Sequence, residues 1–344
     1  YIFVIRRVLA GAALCFLSAG RLFADGGAGT TAANFLKLPV AVIPAALGES
    51  YTAMVGPDSI LYNPAGLGLM SYSSFSGSHN RYIEGISQQY LALTYRSKYG
   101  TAGVGFSTLS SGKIDAYDNN DMLIGETSTN HLMWALSFAQ CWPHFKEDIG
   151  KLDPMVITPN WTKVTPVLDY RPKTYRVAFG ASLKKISERL DKVSASVYTA
   201  DAGAILVLPG HFHLGVSALN VTGSQKFIYE SYELPGVVRA GIAKDFHSIN
   251  DIIIVTVASD MVKYSDVPAF NTAGIETDFM RLFQFRIGYR SQRDIGSRVS
   301  GGFGLNFDKF TDKGSFIHGA RVDYAYIDYG DLGATHRFGM QLIW

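Results

Sequence analysis

The chain has 344 residues, of which 47% are hydrophobic and 13% aromatic but only 17% charged, below the roughly 25% of a typical soluble domain. Its 31 basic residues against 29 acidic ones exclude the basic face of a nucleic-acid binder, and two cysteines exclude a disulfide framework or a Cys-rich metal site.

At the N-terminus, Arg6 and Arg7 precede an apolar stretch from Val8 to Gly20, and Leu22-Phe23-Ala24 offers a small-residue cleavage site before Asp25. Residues 1–24 are expected to be a secretory signal peptide, too short and wrongly flanked for a spanning helix. Cys15 lies inside the apolar stretch behind Leu14, not behind a small residue, which speaks against lipidation. Without Arg6, Arg7 and Arg21, 28 basic residues stand against 29 acidic ones, net −1, and Cys141 is the one cysteine left. No later apolar run is long enough for a membrane helix, so the apolar content must be distributed by alternation, as in a barrel with lipid outside and a polar lumen.

Residues 25–70 do not alternate. Glycines at 48, 66 and 68 and prolines at 57 and 64 favour tight turns. Pro57 suits the first turn of a short helix, and Pro64 pushes Asn63 out of helical geometry. The segment is too apolar for a free leader and is expected to pack as a plug inside the lumen, with Leu61, Leu67 and Leu69 sheltering one another around an apolar cleft.

From residue 71 onward, segments of about ten residues alternate between turn residues. Phe283, Phe285, Ile287 and Tyr289 share one face and Gln284, Arg286, Gly288 and Arg290 the other; Tyr175, Val177, Phe179, Ala181 and Leu183 oppose Arg176, Ala178, Gly180, Ser182 and Lys184; Val299, Gly301, Phe303, Leu305 and Phe307 oppose Ser300, Gly302, Gly304 and Asn306. A soluble β-sandwich also alternates, but its outer face would not be Gly, Ser and lone Arg, nor would Phe and Tyr gather near strand ends as a membrane girdle. About fourteen strands are expected, among them 101–118, 121–142, 211–221 and 315–327. An even count returns both ends of the barrel to the periplasm. That register makes residues 143–173, with Pro154, Pro159, Pro166 and Pro172, a long periplasmic insertion. The fold expected is all-β: a transmembrane antiparallel barrel over residues 71–344, with residues 25–70 as a hatch in its lumen.

The chain closes on Gly339-Met340-Gln341-Leu342-Ile343-Trp344. Gly339, Leu342 and the terminal Trp344 resemble the outer-membrane assembly signal, which implies the barrel assembly machinery as a partner. The run from Leu47 to Ala53, followed by Asp58 and by Tyr62-Asn63-Pro64-Ala65-Gly66-Leu67, resembles the N-terminal hatch of the FadL superfamily. The hatch motif comprises Gly48, Asp58, Asn63, Pro64 and Ala65. Near the C-terminus, Val322-Asp323-Tyr324-Ala325-Tyr326, Gly330-Asp331-Leu332-Gly333 and Thr335-His336-Arg337 resemble the PorV/PorQ branch and spirochaetal FadL-like proteins. The resemblance implies an outer-membrane channel for passive uptake of hydrophobic or amphipathic molecules such as long-chain fatty acids. The alternative it implies is a PorV-like barrel that docks or shuttles secreted proteins. The 143–173 insertion departs from the compact PorV-like pattern.

The expected lumen face gathers Arg176, Lys184, Arg239, Arg286, Arg290, Arg321 and Arg337 with Asp260 and Asp323. Arg176, Arg239, Arg286, Arg321 and Asp323 are candidate contacts for an anionic head group, which arginine holds bidentately. The plainer expectation is that the cations pair with lumen carboxylates and with Glu49 or Asp58 of the plug. His211 and His213 fall on one face of a strand, but two histidines hold a metal poorly and no third ligand is evident in sequence. Gly301-Gly302-Phe303-Gly304 is no dinucleotide fingerprint, because no helix follows. No nucleophile–base pair stands out; the expectation is a non-enzyme without cofactor or metal, with membrane lipid and a hydrophobic ligand as partners.

Overall fold

The structure is a computed structural model and describes residues 27, 29–82, 85–143, 175–191, 193–227, 230–248, 252–292, 296–307 and 319–344. The expected signal peptide and residues 144–173 of the expected insertion lie outside them.

Fourteen strands close into an antiparallel barrel. In chain order these are β1 (Ser74–Arg81), β2 (Ser87–Ser97), β3 (Gly100–Ser110), β6 (Thr129–Trp142), β7 (Arg176–Leu190), β8 (Val193–Leu208), β9 (Phe212–Leu219), β12 (Val237–His247), β13 (Ile253–Tyr264), β14 (Val267–Phe279), β15 (Phe283–Arg290), β16 (Val299–Asn306), β17 (Ala320–Asp328) and β18 (Ala334–Ile343). The circle closes where β1 pairs with β18 from Ser74↔Ile343 to Arg81↔His336. Ser73 and Trp344, which exchange backbone hydrogen bonds of 3.0 Å in both directions, mark the terminal end of the barrel; the opposite end is distal.

Two expected strands are corrected at the distal end. The wall strands stop at Ser110 and resume at Thr129, while β4 (Ile114–Tyr117) and β5 (Leu123–Thr127) pair only with each other. A wall strand spans the bilayer in about 9–11 residues, so segments of 18 and 22 residues overshoot it, and Gly112 (φ 70) turns the surplus into a separate hairpin. Likewise β9 ends at Leu219, and β10 (Ser224–Phe227) with β11 (Glu230–Glu233) forms a second hairpin that the alternation did not reveal.

The wall is inverted relative to a soluble protein. Phe285 is 58% exposed while its neighbour Arg286 is 2% exposed. The outer belt carries Leu91, Leu93, Val104, Leu136, Leu183, Val257, Ile275 and Ile287, and Trp142, Phe246, Phe279, Phe283 and Trp344 ring the terminal rim. This is the apolar band with an aromatic girdle of a barrel in lipid. No helix among the described residues is long and apolar enough to cross a membrane; the strands do the crossing.

Candidate functional site: the filled lumen

Residues 31–70 line and fill the lumen. The path begins at the distal end, where the Ala32 amide donates to the Glu233 carbonyl at 2.9 Å, and Lys37 and the Thr31 hydroxyl both bind the Asp266 carboxylate, at 2.5 and 2.8 Å. Tyr82 and Asn80 of the wall donate to the Pro39 and Val40 carbonyls at 3.0 and 2.7 Å, and Arg337, fully buried, donates to Pro39 O at 2.6 Å. A helix at Val42–Ala46 then packs against β15 to β18, residues 47–53 pass β14, β13, β12 and β9, a helix at Ser59–Tyr62 reaches β3, and a tight 3-10 turn at Pro64–Leu69 packs on β6, β7 and β8. The chain thus circles the inner wall before it enters β1.

Close approach is possible because the wall presents glycine where the circling segment touches it. A Cβ on Gly180 would lie 2.3 Å from the Pro64 carbonyl carbon, one on Gly203 1.9 Å from Asn63 Oδ1, and one on Gly288 1.9 Å from the Gly48 nitrogen. Gly180 and Gly203 are cross-strand partners, as are Gly274 and Gly288. Real Cβ atoms do not come so near, so these positions have no room for a side chain while the segment is seated. Their recurrence on the lumen face, strand after strand, was the available signal.

The hatch-motif residues hold this arrangement together. Asn63 is fully buried and extended (φ −159, ψ 102), as a residue before proline must be. Its side chain accepts from the Ala65 amide at 3.1 Å and donates to the Thr52 carbonyl at 2.7 Å and to Ala204 O of β8 at 3.3 Å. One amide therefore caps the Pro64–Leu69 turn, ties it to the preceding loop and fastens both to the wall. Gly48 and Glu49 are left-handed in succession, at φ 63 and 70, and reverse the chain after the Val42–Ala46 helix.

The lumen charges are committed to this seating. Asp260 of β13 accepts at one oxygen from the Tyr51 and Thr52 amides, both 3.0 Å, and the Thr52 hydroxyl, 2.6 Å. Arg239 of β12 binds the same oxygen at 3.1 Å, takes Thr52 Oγ1 at 2.9 Å and donates to the Glu49 carbonyl. The Glu49 carboxylate pairs with Arg290. On the other side Arg286 bridges Glu276 and Asp323, the latter at 2.7 Å, and Arg321 holds Asp323 at 2.9 Å and Gln341 at 2.6 Å. Lys184 pairs with Asp201 at 2.6 Å. Of the candidate head-group contacts, Arg239, Arg286, Arg321 and Asp323 are thus held by protein partners, while Arg176 is half-buried at the terminal end of β7. Gly339 faces inward against Val42, whereas Leu342 and Trp344 belong to the outward face of β18.

Asp58 is buried beside Arg321, Asp323 and Arg286. Burial pushes its carboxyl up to about 7, an effect that Asp323 reinforces and that Arg321 and Arg286 oppose. A cavity of about 20 Å³ lies between Asp58, Arg321, Asp323, Tyr90 and Ser76, room for a single water.

The expected cleft is corrected. Leu61 packs against the cluster that holds Leu67 with Ile60, Met70, Tyr90 and Ala135, as expected, but Leu69 stands apart and packs with Ala65, Cys141, Ala178, Ile205 and Val207 on another arc of wall. The cavity of the lumen lies on the distal side instead, about 50 Å³, lined in part by Phe35, Leu36, Leu38, Leu61, Met133 and Tyr264 and in part by Glu49, Ser107, Lys184, Asn220 and Arg239. A benzene-sized ligand occupies a cavity on the order of 150 Å³, so the seated structure has room there for water but not for an aromatic ring.

The two histidines read as a pair are also separated. His213 reaches the Ala53 carbonyl at 3.3 Å, while His211 sits at the terminal rim with its ring 4.5 Å from that of His247, beside Asp245.

No protein-family model matches the chain, and no curated protein matches it by sequence. Solved structures do. A crystal structure of the Pseudomonas putida toluene transporter TodX aligns with a TM-score of 0.52 at 11% identity over 93% of this chain and 98% of that one. A second TodX structure gives 0.51 at 12% identity over 89% and 96%, and a TodX deltaS2S3 mutant, a monoaromatic hydrocarbon channel, gives 0.50 at 11% over 88% and 97%. At such identity the likeness is one of fold: along nearly its whole length this chain has the barrel architecture of TodX.

Proposed function

We propose that this protein is an outer-membrane channel for small hydrophobic molecules, with residues 25–70 as a plug that stops water and ions. The observation that carries this reading is the distal cavity of the lumen, to whose lining Phe35, Leu36, Leu38 and Leu61 contribute apolar side chains. Moving the Ala33–Val40 stretch would enlarge it to ligand size without dismantling the glycine-lined seat below. The lumen cations already have carboxylate or carbonyl partners, so an uncharged hydrocarbon suits the cavity better than the carboxylate of a long-chain fatty acid. The fold of the toluene transporter agrees with that choice. In this orientation the terminal end, where β6 stops and β7 begins, is periplasmic, the leader is cleaved on export, and Gly339, Leu342 and Trp344 present the assembly signal.

The test is uptake of a labelled monoaromatic hydrocarbon by cells that carry the protein in their outer membrane. Uptake should rise several-fold over cells without it, and that of a polar solute of equal size should not change. Equal hydrocarbon uptake in both strains contradicts the reading.

A second reading, a PorV-like docking or shuttle subunit, is supported by the distal β4–β5 hairpin, which exposes Ile114, Tyr117, Met122, Leu123 and Ile124 above a lumen that is closed in the seated state. Apolar side chains grouped on a projecting hairpin favour a protein partner.

A further inference from the structure

We propose that His211, Asp245 and His247 form a binding site for a divalent transition-metal ion of the zinc class at the terminal rim of the barrel. The site is built by the turn after β8. Gly210 and His211 are both left-handed, at φ 81 and 61, so the His211 side chain leaves the alternation of β9 and swings toward the end of β12. There the Asp245 amide donates to the His211 carbonyl at 3.2 Å, which locks the two backbones together. Asp245 and His247 alternate on β12 and share a face. The result is a set of two imidazoles and one carboxylate whose ligand atoms all lie within 4.8 Å of one another.

Two further features fit a metal. The Thr256 hydroxyl of β13 donates to Asp245 Oδ1 at 2.7 Å, the kind of outer hydrogen bond that orients a ligating carboxylate and leaves its other oxygen available. The imidazole rings of His211 and His247 are tilted by 39°, so their nitrogens can converge on one point. Donors 2.0–2.1 Å from a tetrahedral ion stand about 3.4 Å apart; side-chain rotation would close the present spacing without moving the strands. Two histidine nitrogens and one carboxylate, with a fourth position for water, match a borderline ion such as zinc and not the all-oxygen shells of calcium or magnesium. The ion would cross-link the β8–β9 turn to the far end of β12 at the terminal mouth of the lumen, on the inward face that β12 shares with Arg239 and Ala243 and apart from the distal cavity.

The probe is zinc chloride with the full chain in detergent, free of any histidine tag, read by isothermal titration and by metal analysis after dialysis. One zinc per chain is expected. Asp245→Asn and His247→Ala should each weaken binding at least tenfold, while His79→Ala, an outward-facing histidine on β1, should leave it intact. Copper substituted for zinc should give an electron paramagnetic resonance spectrum with coupling to two nitrogens. Each variant is checked for heat-modifiable gel migration, and the spectrum needs no variant at all. Absence of stoichiometric binding, binding that survives the double variant His211→Ala/His247→Ala, or a copper spectrum without nitrogen coupling overturns the site.

Discussion

Asp58 occupies a place where a carboxylate is costly. Its pKa rises from an ordinary 3.8 to about 7 because burial removes water from around it. The sign follows from proton uptake: between those values the seated segment holds a proton that the released one gives up. Seating is therefore strongest in acid, and weakens as pH climbs from about 4 to 7 by on the order of 1.4 kcal/mol per unit. Above 7 both forms are ionised and the effect is complete. Ion conductance in planar bilayers should be higher at pH 8 than at pH 5, and Asp58→Asn should remove the difference. An unchanged pH response in that variant would place its origin elsewhere. The wall glycines make a second residue-scale case. Gly180→Val drives a side chain into the Pro64–Ala65 backbone, at a cost of about 1–3 kcal/mol for overpacking, and should raise conductance. Gly301→Ala has its nearest neighbour 3.7 Å away and should be silent; leakage from both variants alike would deny the glycines their seating role.

At the level of elements, the wall strands were legible because period-two alternation is a strong signal when one face meets lipid and the other a packed, polar lumen. Phe285 and Arg286 show it within two residues. Arginine placed at Ile287, on the same outward face and deeper in the membrane, should cost roughly 2–4 kcal/mol, measurable by urea titration of the barrel in lipid; a neutral outcome would mean that the register is shifted by one. The β4–β5 and β10–β11 hairpins were not legible, because alternation runs on from wall strand into hairpin and nothing in the pattern marks where the membrane stops. The course of residues 31–70 was not legible either. Motif and composition suggested a compact plug, but its path is written in residues of other elements: glycine on β7 and β8, Asp260 on β13, Arg239 on β12. The lumen cations were expected to pair with lumen carboxylates and with Glu49 or Asp58 of the plug, without particular partners; the structure pairs Glu49 with Arg290 and buries Asp58 beside Arg321, Asp323 and Arg286, neighbours that only the closed barrel brings together. The Arg239–Asp260 clamp is the element-scale contact most worth breaking. Arg239→Met leaves a buried carboxylate without its cation, a loss of about 3–5 kcal/mol, and should raise the susceptibility of residues 31–70 to proteolysis; protection equal to that of the unaltered protein would count against the clamp.

For the whole molecule, a circle of fourteen strands is wide enough that an empty lumen would conduct. What the structure has in place of a pore is a chain segment held by glycine contacts, by Asn63 and by two charge clusters, with a small cavity of mixed lining on its distal side. In the proposed function this segment seals the lumen against ions, and its distal stretch, held by Asp266, Asn80, Tyr82 and Arg337, is what must be displaced to admit a ligand. Native mass spectrometry of the detergent-extracted protein should find a small apolar molecule bound in substoichiometric amount, since the seated cavity of about 50 Å³ must open to admit one. Stoichiometric retention of a charged amphiphile would shift the reading toward lumen cations as head-group ligands. The seal itself is tested most directly by planar-bilayer conductance of the barrel with and without residues 26–70, each first shown to be folded by heat-modifiable migration. The account predicts a sharp rise in conductance on deletion; equal conductance of the two forms would contradict it.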